Sequence, residues 1–308
     1  MRRDARTQAC RTSDCTPPRA LLRIQHSSRS MAYTRWMAKQ FMPYGVIKAL
    51  AWKSRFEAIG LRASTAVTCS LSPAARADLV RSRIEQLPPE LRTRMSLVVD
   101  AGANSGQWLS ALLRFVDVER AEVFEPNPQA FELLRLKFAN DTRINLHQAA
   151  LGERRSRATL NVTWSSDLAS LLTQAPELFA NYGGPASEVT RAIVVDVAAL
   201  DDWMESVGPI DLLKIDVQGF ERFVLNGARK TLENTRAILI EMNYVPHYQG
   251  ESEFYSLYSH IVNDLGFEFW DLSPVQRSNS GRALWADAVF VRQPVSSERS
   301  AISSQRSG

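Results

Sequence analysis

The stretch Leu97–Gln107, LVVDAGANSGQ, reads as a buried strand that runs into a glycine turn and opens a helix. A turn at a helix start sets backbone N–H groups beside something polar or negatively charged. Its spacing, Gly102-x-x-x-Gly106 led by Asp100, is neither the G-x-G-x-x-G of dinucleotide enzymes nor the G-x-x-x-x-G-K-[ST] of phosphate loops. Gly102 and Gly106 permit positive φ and close approach of a ligand. Asn104 stands where many nucleotide loops carry a middle glycine, and asparagine tolerates the left-handed conformation better than most side chains.

Outward from this turn the chain alternates. Short apolar runs at 97–101, 121–125, 144–149, 158–163, 192–197, 211–216, 237–243, 267–271 and 286–291 read as strands. Between several of them lie helical stretches in which apolar residues recur every three or four positions. Trp108, Leu109, Leu112, Leu113 and Val116 share one face, and Phe254, Leu257, Tyr258, Ile261, Val262 and Leu265 share another. Apolar strands alternating with helices imply an α/β fold with a mostly parallel sheet covered on both sides. The runs 267–271 and 286–291 follow each other with only a polar loop between, so an antiparallel hairpin at the sheet edge is expected.

Ligands of such sheets lie outside the carboxyl ends of the strands, so the strand tips hold the candidate site. The second strand ends in Glu125, nineteen residues after Gly106, where an acid accepts hydrogen bonds from ribose hydroxyls. Asn127 follows as a cofactor candidate, or as the cap of a helix over 128–139. Beyond the third strand, the small residues after Ala149 leave room for a flat ring, and Gln148 could meet an adenine edge. The fourth tip, DLLKIDVQGFE, presents Asp216, with Gly219 and Glu221 opening a helix. Lys214 is read as turning to a different side and as structural. In the fifth, ILIEMNYVPHY, Glu241 and Asn243 share a face and His247 follows in a loop. Of the other histidines, His26 lies near the N-terminus, His147 reads as core and His260 as helical.

Composition narrows the function. The chain has 308 residues, 45% hydrophobic and 23% charged, an ordinary globular balance. Residues 1–30 hold seven arginines against Asp4 and Asp14, a charge of +5 that exceeds the chain's total of +4 and leaves the remainder at −1. A basic groove for nucleic acid therefore gets no support. Three scattered cysteines fit a reducing compartment, hence a cytoplasmic location, and no metal ligand set is read. Residues 1–30 read as a disordered basic tail, with a transit peptide as one alternative and a translation start at Met31 as the favoured one. Residues 31–94 read as a helical accessory segment. Within it, 31–62 interleaves Trp36, Phe41, Trp52 and Phe56 with basic residues, a candidate for peripheral membrane contact. The main domain is expected over 95–293, with a disordered tail at 294–308.

The blocks VVDAGANSGQW, VFEPNPQAFELL, AALGERRSRATLNV, SSDLASLL and DLLKIDVQGFERFVLNGARKTLEN followed by ILIEMN resemble the FkbM family of methyltransferases over about residues 95–245. The resemblance implies a class I methyltransferase, Rossmann-like fold of seven strands, S-adenosyl-L-methionine as cofactor, and O-methylation of a sugar, glycolipid or polyketide-type hydroxyl. It implies that Asp100, Gly102, Asn104, Ser105, Gly106 and Gln107 form the cofactor loop and that Glu125 holds the ribose. It also puts Asp216 near the reacting groups and Ser165–Ser166 in a loop by the pocket. Gln218 departs from the family pattern, which often has an acid there. Methyl transfer to a hydroxyl needs alignment and a base. The candidates are Asp216, His247 and Glu241, with His247 preferred as base because an unperturbed imidazole titrates near ~6.5. A nucleotide-dependent sugar oxidoreductase would need motifs absent here, and a cofactor binder without turnover is the other alternative.

Overall fold

Val98 and Val99, inside the opening stretch, point to opposite faces of one strand, and both are fully buried. That strand, β1 (Arg94–Ala101), is the middle of the central sheet. In the computed structural model the described residues are 81–292, apart from 82, 177, 179–186, 205–207 and 279. The expectations for 1–30, for most of 31–94 including the amphipathic segment 31–62, and for 294–308 lie outside them.

After β1 come α1 (Gln107–Leu112), β2 (Asp117–Phe124), α2 (Pro128–Lys137) and β3 (Ile144–His147). β2 pairs parallel with β1, and β3 parallel with β2. On the other side β7 (Ile210–Ile215) pairs parallel with β1, and β8 (Thr235–Asn243) parallel with β7. β11 (Ala283–Val291) lies antiparallel to β8. Its outer edge is shared by two short strands, β9 (Glu268–Leu272) and β10 (Gln276–Arg277), both antiparallel to it. The sheet thus has seven positions, mostly parallel with an antiparallel edge, in the class I arrangement expected from the sequence. The expected hairpin is β9 with β11, and the later strand inserts between β8 and the earlier one.

Strand alternation sorts the core into two layers. Val98, Ala121, Val123, Leu212 and Leu239 face α1 and α2, where Trp108, Leu109, Leu112 and Leu134 meet them. Ile84, Leu87 and Leu91 join that layer. Val99, Ala101, Phe124, Leu213, Ile215, Ile238 and Ile240 face the other way. That side is covered by α3 (Leu200–Met204), α4 (Glu221–Asn226), α5 (Arg229–Glu233) and α6 (Phe254–Ser259). Burial on both faces is why these strands read as continuous apolar runs.

Two of the strand candidates do not enter the central sheet. The runs 158–163 and 192–197 belong to β5 (Ser156–Thr163) and β6 (Val189–Ala198), which pair antiparallel in a second sheet. β4 (Ala150–Leu151) joins β6 in parallel as its third strand. This sheet is inserted between β3 and α3, and much of β6 is exposed, with Val194 60% accessible. No helix among the described residues is long and apolar enough to cross a membrane.

Candidate functional site

The turn after β1 adopts the conformation its residues suggest. Gly102, Asn104 and Gly106 have φ of 79°, 51° and 71°. What approaches the two glycines, however, is protein. A Cβ on Gly102 would lie 1.9 Å from the Asp216 carbonyl oxygen, and one on Gly106 would lie 2.6 Å from Leu134 and 2.7 Å from Phe138. The glycines let the first and fourth strand tips, and α2, close on the turn.

The amides of this turn are already used. Gly102 and Ala103 N–H both donate to the Phe124 carbonyl at 3.1 Å, and Gly106 N–H donates to the Ala103 carbonyl at 2.9 Å. Asn104 N–H donates to Glu125 Oε2 at 2.7 Å, and Ser105 N–H to Asn104 Oδ1 at 2.6 Å. The expectation that the turn offers N–H groups to a negative ligand is therefore corrected between Gly102 and Gly106. What it presents is acceptors. Asp100 is fully buried, and its Oδ2 has no hydrogen-bond partner. Lys137 Nζ donates to the Ser105 carbonyl, and Gln107 is the first, half-buried residue of α1.

Glu125 sits at the end of β2 with each oxygen bound to one amide, Oε2 to Asn104 and Oε1 to Asn127, both at 2.7 Å. A carboxylate has about four acceptor sites, so two remain. Burial pushes Glu125 up to about 7, against the pull of those amides. Asn127 uses its own Oδ1 to cap α2, accepting from Gln129 N–H at 3.1 Å. Of its two readings in the sequence, the cap is the one the geometry occupies. Gln148 lies just past β3 and is exposed.

Lys214 corrects a reading of the strand. Lys214 and Asp216 are two positions apart, so alternation puts them on one side. The ammonium lies 3.0 Å from Asp100 Oδ1, 3.2 Å from the Gly102 carbonyl and 3.6 Å from Asp216 Oδ2. Burial alone would push this lysine down, but Asp100 and Asp216 hold it above its ordinary value. Asp100 is itself raised by burial in spite of Lys214. A lysine inside the apolar run IDLLKI was the signal for this pair, since an ammonium is buried there only with a counter-charge.

Asp216 is the accessible acid, with a third of its side chain exposed (33%). Glu241 lies on the neighbouring strand, one residue past the Ile215–Ile240 pair, and is buried. Burial first, then the charges of Asp216, Asp287 and Glu221, raise Glu241 well above the ordinary glutamate value. Asp287 faces Glu241 across β8 and β11 and is ion-paired with Arg83. Glu221 accepts from Val217 N–H at 3.3 Å and Gly219 N–H at 3.1 Å, and burial pushes it up to about 8.

His247 is 3% exposed, and burial lowers its imidazole to about 4. The reason for preferring it as base, an unperturbed titration, does not hold. The loop that carries it is stapled to the segment after β5. Ala175 N–H donates to the His247 carbonyl at 2.8 Å, and Gln249 N–H to the Thr173 carbonyl at 2.7 Å. Glu251 anchors the same loop by accepting from His247 N–H at 2.8 Å. His147, read from the sequence as core, is half-buried on the edge strand β3, 2.6 Å from Glu122 Oε2 and stacked on Phe124. Ser166 and Asp167 reach the first turn, where Asn104 Nδ2 donates to their side chains at 3.1 and 2.7 Å.

Residues 100–269 match the family model described as the methyltransferase FkbM domain. The 2-O-methyltransferase NoeI of Sinorhizobium fredii (strain NBRC 101917 / NGR234) is 29% identical over 170 residues, 50% of this chain and 66% of that protein. Methyltransferase 1 of Beauveria bassiana (strain ARSEF 2860) is 30% identical over 146 residues, 43% of this chain and 58% of that protein. The chain spans less than two thirds of the length of these curated relatives. Among solved structures, the methyltransferase FkbM from Methylobacillus flagellatus KT aligns over 85% of this chain and 59% of its own, with 18% identity and a TM-score of 0.43. Magnesium protoporphyrin IX methyltransferase (ChlM) from Synechocystis PCC 6803 with bound SAM aligns over 86% of this chain and 92% of its own, with 11% identity and a TM-score of 0.43.

Proposed function

Because the chain belongs to the FkbM family of S-adenosylmethionine-dependent methyltransferases, we propose that it methylates a hydroxyl of a sugar, glycolipid or polyketide-type metabolite. One observation carries the reading. The first turn has spent its amides internally and offers carboxylate oxygens instead. A phosphate-bearing cofactor needs donors there. A ligand with an ammonium, a sulfonium and ribose hydroxyls needs acceptors, and the free Oδ2 of Asp100 and the remaining sites of Glu125 suit it. When bound, the cofactor supplies an electrophilic methyl group on a positively charged sulfur.

The residues of this chain then divide the work. Asp100, fixed by Lys214, would hold the cationic end of the cofactor, and Glu125 would accept from its ribose hydroxyls. Asp216, held beside Lys214 and partly open to solvent, aligns the acceptor hydroxyl. Glu241 receives that hydroxyl's proton, because burial and the neighbouring acids give its carboxylate a higher proton affinity than an ordinary one. His247, lowered to about 4, contributes as a neutral ring that excludes water. Oxygen as the acceptor atom is supported by the name of the relative NoeI, a 2-O-methyltransferase.

The test is incubation of the full chain with methyl-labelled S-adenosylmethionine and four acceptor pools: monosaccharides, oligosaccharides, extracted glycolipids and polyketide-type metabolites. Label in an ether-linked methyl group of a saccharide or polyketide-type metabolite supports the reading. Glu241→Gln is expected to lower that transfer about 10²–10⁴-fold while S-adenosylhomocysteine still binds. Label only on nitrogen or carbon, or no transfer to any pool, sinks it.

A further inference from the structure

The geometry points to Gln218 and Tyr248 as positioning residues for Asp216, an inference that rests on the methyl-transfer reading above. Gln218 Nε2 donates to Asp216 Oδ1 at 2.8 Å, and Gln218 Oε1 accepts from the Tyr248 hydroxyl at 2.8 Å. The orientation of the amide is forced. A carboxylate only accepts, so the nitrogen must face Asp216, and the oxygen left over must face a donor. Tyr248 is that donor. Its hydroxyl has one proton, and the alternative acceptor, the Leu168 carbonyl, is farther at 3.4 Å. Tyr248 is 1% exposed, so its hydroxyl has no ready exchange with water.

Gln218 is also held from behind. It has a left-handed φ of 58°, a conformation that a residue with a Cβ adopts only against steric resistance. Ser170 Oγ donates to its carbonyl at 2.6 Å, and Gly219 follows at φ 91° with Tyr248 where a Cβ would stand. Asp216 Oδ1 therefore has Gln218 as its hydrogen-bond donor, and Oδ2 is ion-paired with the Lys214 ammonium at 3.6 Å. That fixes the plane of the one acid in the cluster that is a third open to solvent. An acid in place of Gln218 would set a second acceptor against Oδ1, and the pair would have to share a proton. The glutamine keeps Asp216 oriented without that proton.

Two readouts test this. In the ¹⁵N-labelled full chain, the Gln218 side-chain amide is assigned by its disappearance in Gln218→Glu. Its hydrogen exchange should be at least about tenfold slower than that of exposed glutamines, and Tyr248→Phe should remove most of the slowing. In the labelled-methyl assay, Tyr248→Phe and Gln218→Met should each lower kcat about tenfold. The KM for S-adenosylmethionine should stay within about twofold. Gln218→Glu should move the acidic limb of the pH–rate profile upward by about one unit. An amide that exchanges like an exposed glutamine, or that ignores Tyr248→Phe, overturns the proposal. So does a loss of kcat matched by an equal loss of cofactor affinity and no change in the pH profile. A wild-type chain that transfers no methyl group would sink the functional reading, while the exchange measurement would still decide the hydrogen-bond chain.

Discussion

Gly102 occupies a point where two strand tips touch, and its hydrogen atom is the only side chain that fits. Gly102→Ala combines a Cβ at 1.9 Å from a backbone oxygen with a φ of 79°. The variant should lose at least about 2 kcal/mol of stability, read as a lower urea midpoint; an unchanged midpoint would mean the two tips are not held together in solution. Glu125 makes a different prediction. Its carboxyl titrates at about 7 in the free protein, and a ribose hydroxyl donating to it would favour the ionised form. S-adenosylhomocysteine binding should then release a proton near pH 6–7 and tighten as pH rises, by up to about tenfold per unit below 7. Calorimetry in two buffers of different ionisation heat measures that proton, and Glu125→Gln should abolish it.

Within α2 the question is whether Asn127 serves the helix or the ligand. Its side chain caps the helix behind Pro128, a residue suited to the first helical position because its missing N–H is not needed there. Asn127→Ala should therefore cost about 1 kcal/mol in urea unfolding and leave S-adenosylhomocysteine affinity within about twofold. A large affinity loss with little change in stability would reverse the assignment. The same helix supplies Leu134 and Phe138 to the back of the first turn. A loose start to α2 is thus transmitted to the turn by packing, not by a bond to the ligand. At the far edge, β9 and β10 each cover part of β11. Most of the long strand's outer edge is then paired, which limits edge-to-edge association.

Taken over the whole molecule, the buried glutamates set the response to pH. Glu125 and Glu251 are pushed up to about 7 and Glu221 to about 8, in each case by burial. The folded protein keeps protons that the unfolded chain releases near ~4.5. The stability contributed by these three is thus complete below that pH and is lost as pH rises through 7 to 8. Urea midpoints should be lower at pH 8.5 than at pH 5.5, and Glu221→Gln should flatten the difference; a midpoint that rises over this interval would contradict the burial of these groups. The strand-tip acids were legible in the sequence because each ends an apolar run. The network around them was not. Lys214 and Gln218 share one segment, but Ser170 and Tyr248 come from two others, and no periodicity reports that the three meet. His247 looked like an open loop residue because nothing local reveals that residues 173–175 lie over it. The inserted sheet was half legible. β6 alternates exposed and buried positions toward its end, the mark of a strand with one wet face, yet alternation names no partner.

That insertion leaves and rejoins the domain at one place. Ala150 and Leu151 lie alongside Val197 and Ala198 in register, so the excursion between them begins and ends on neighbouring strands. A substitute of different length would leave both attachment points where they are, and doubling a flexible loop costs only about 0.6 kcal/mol of closure entropy. The region beside the first turn can therefore change in length without moving its anchors, so long as the contacts made by Ser166, Asp167 and Ser170 are kept.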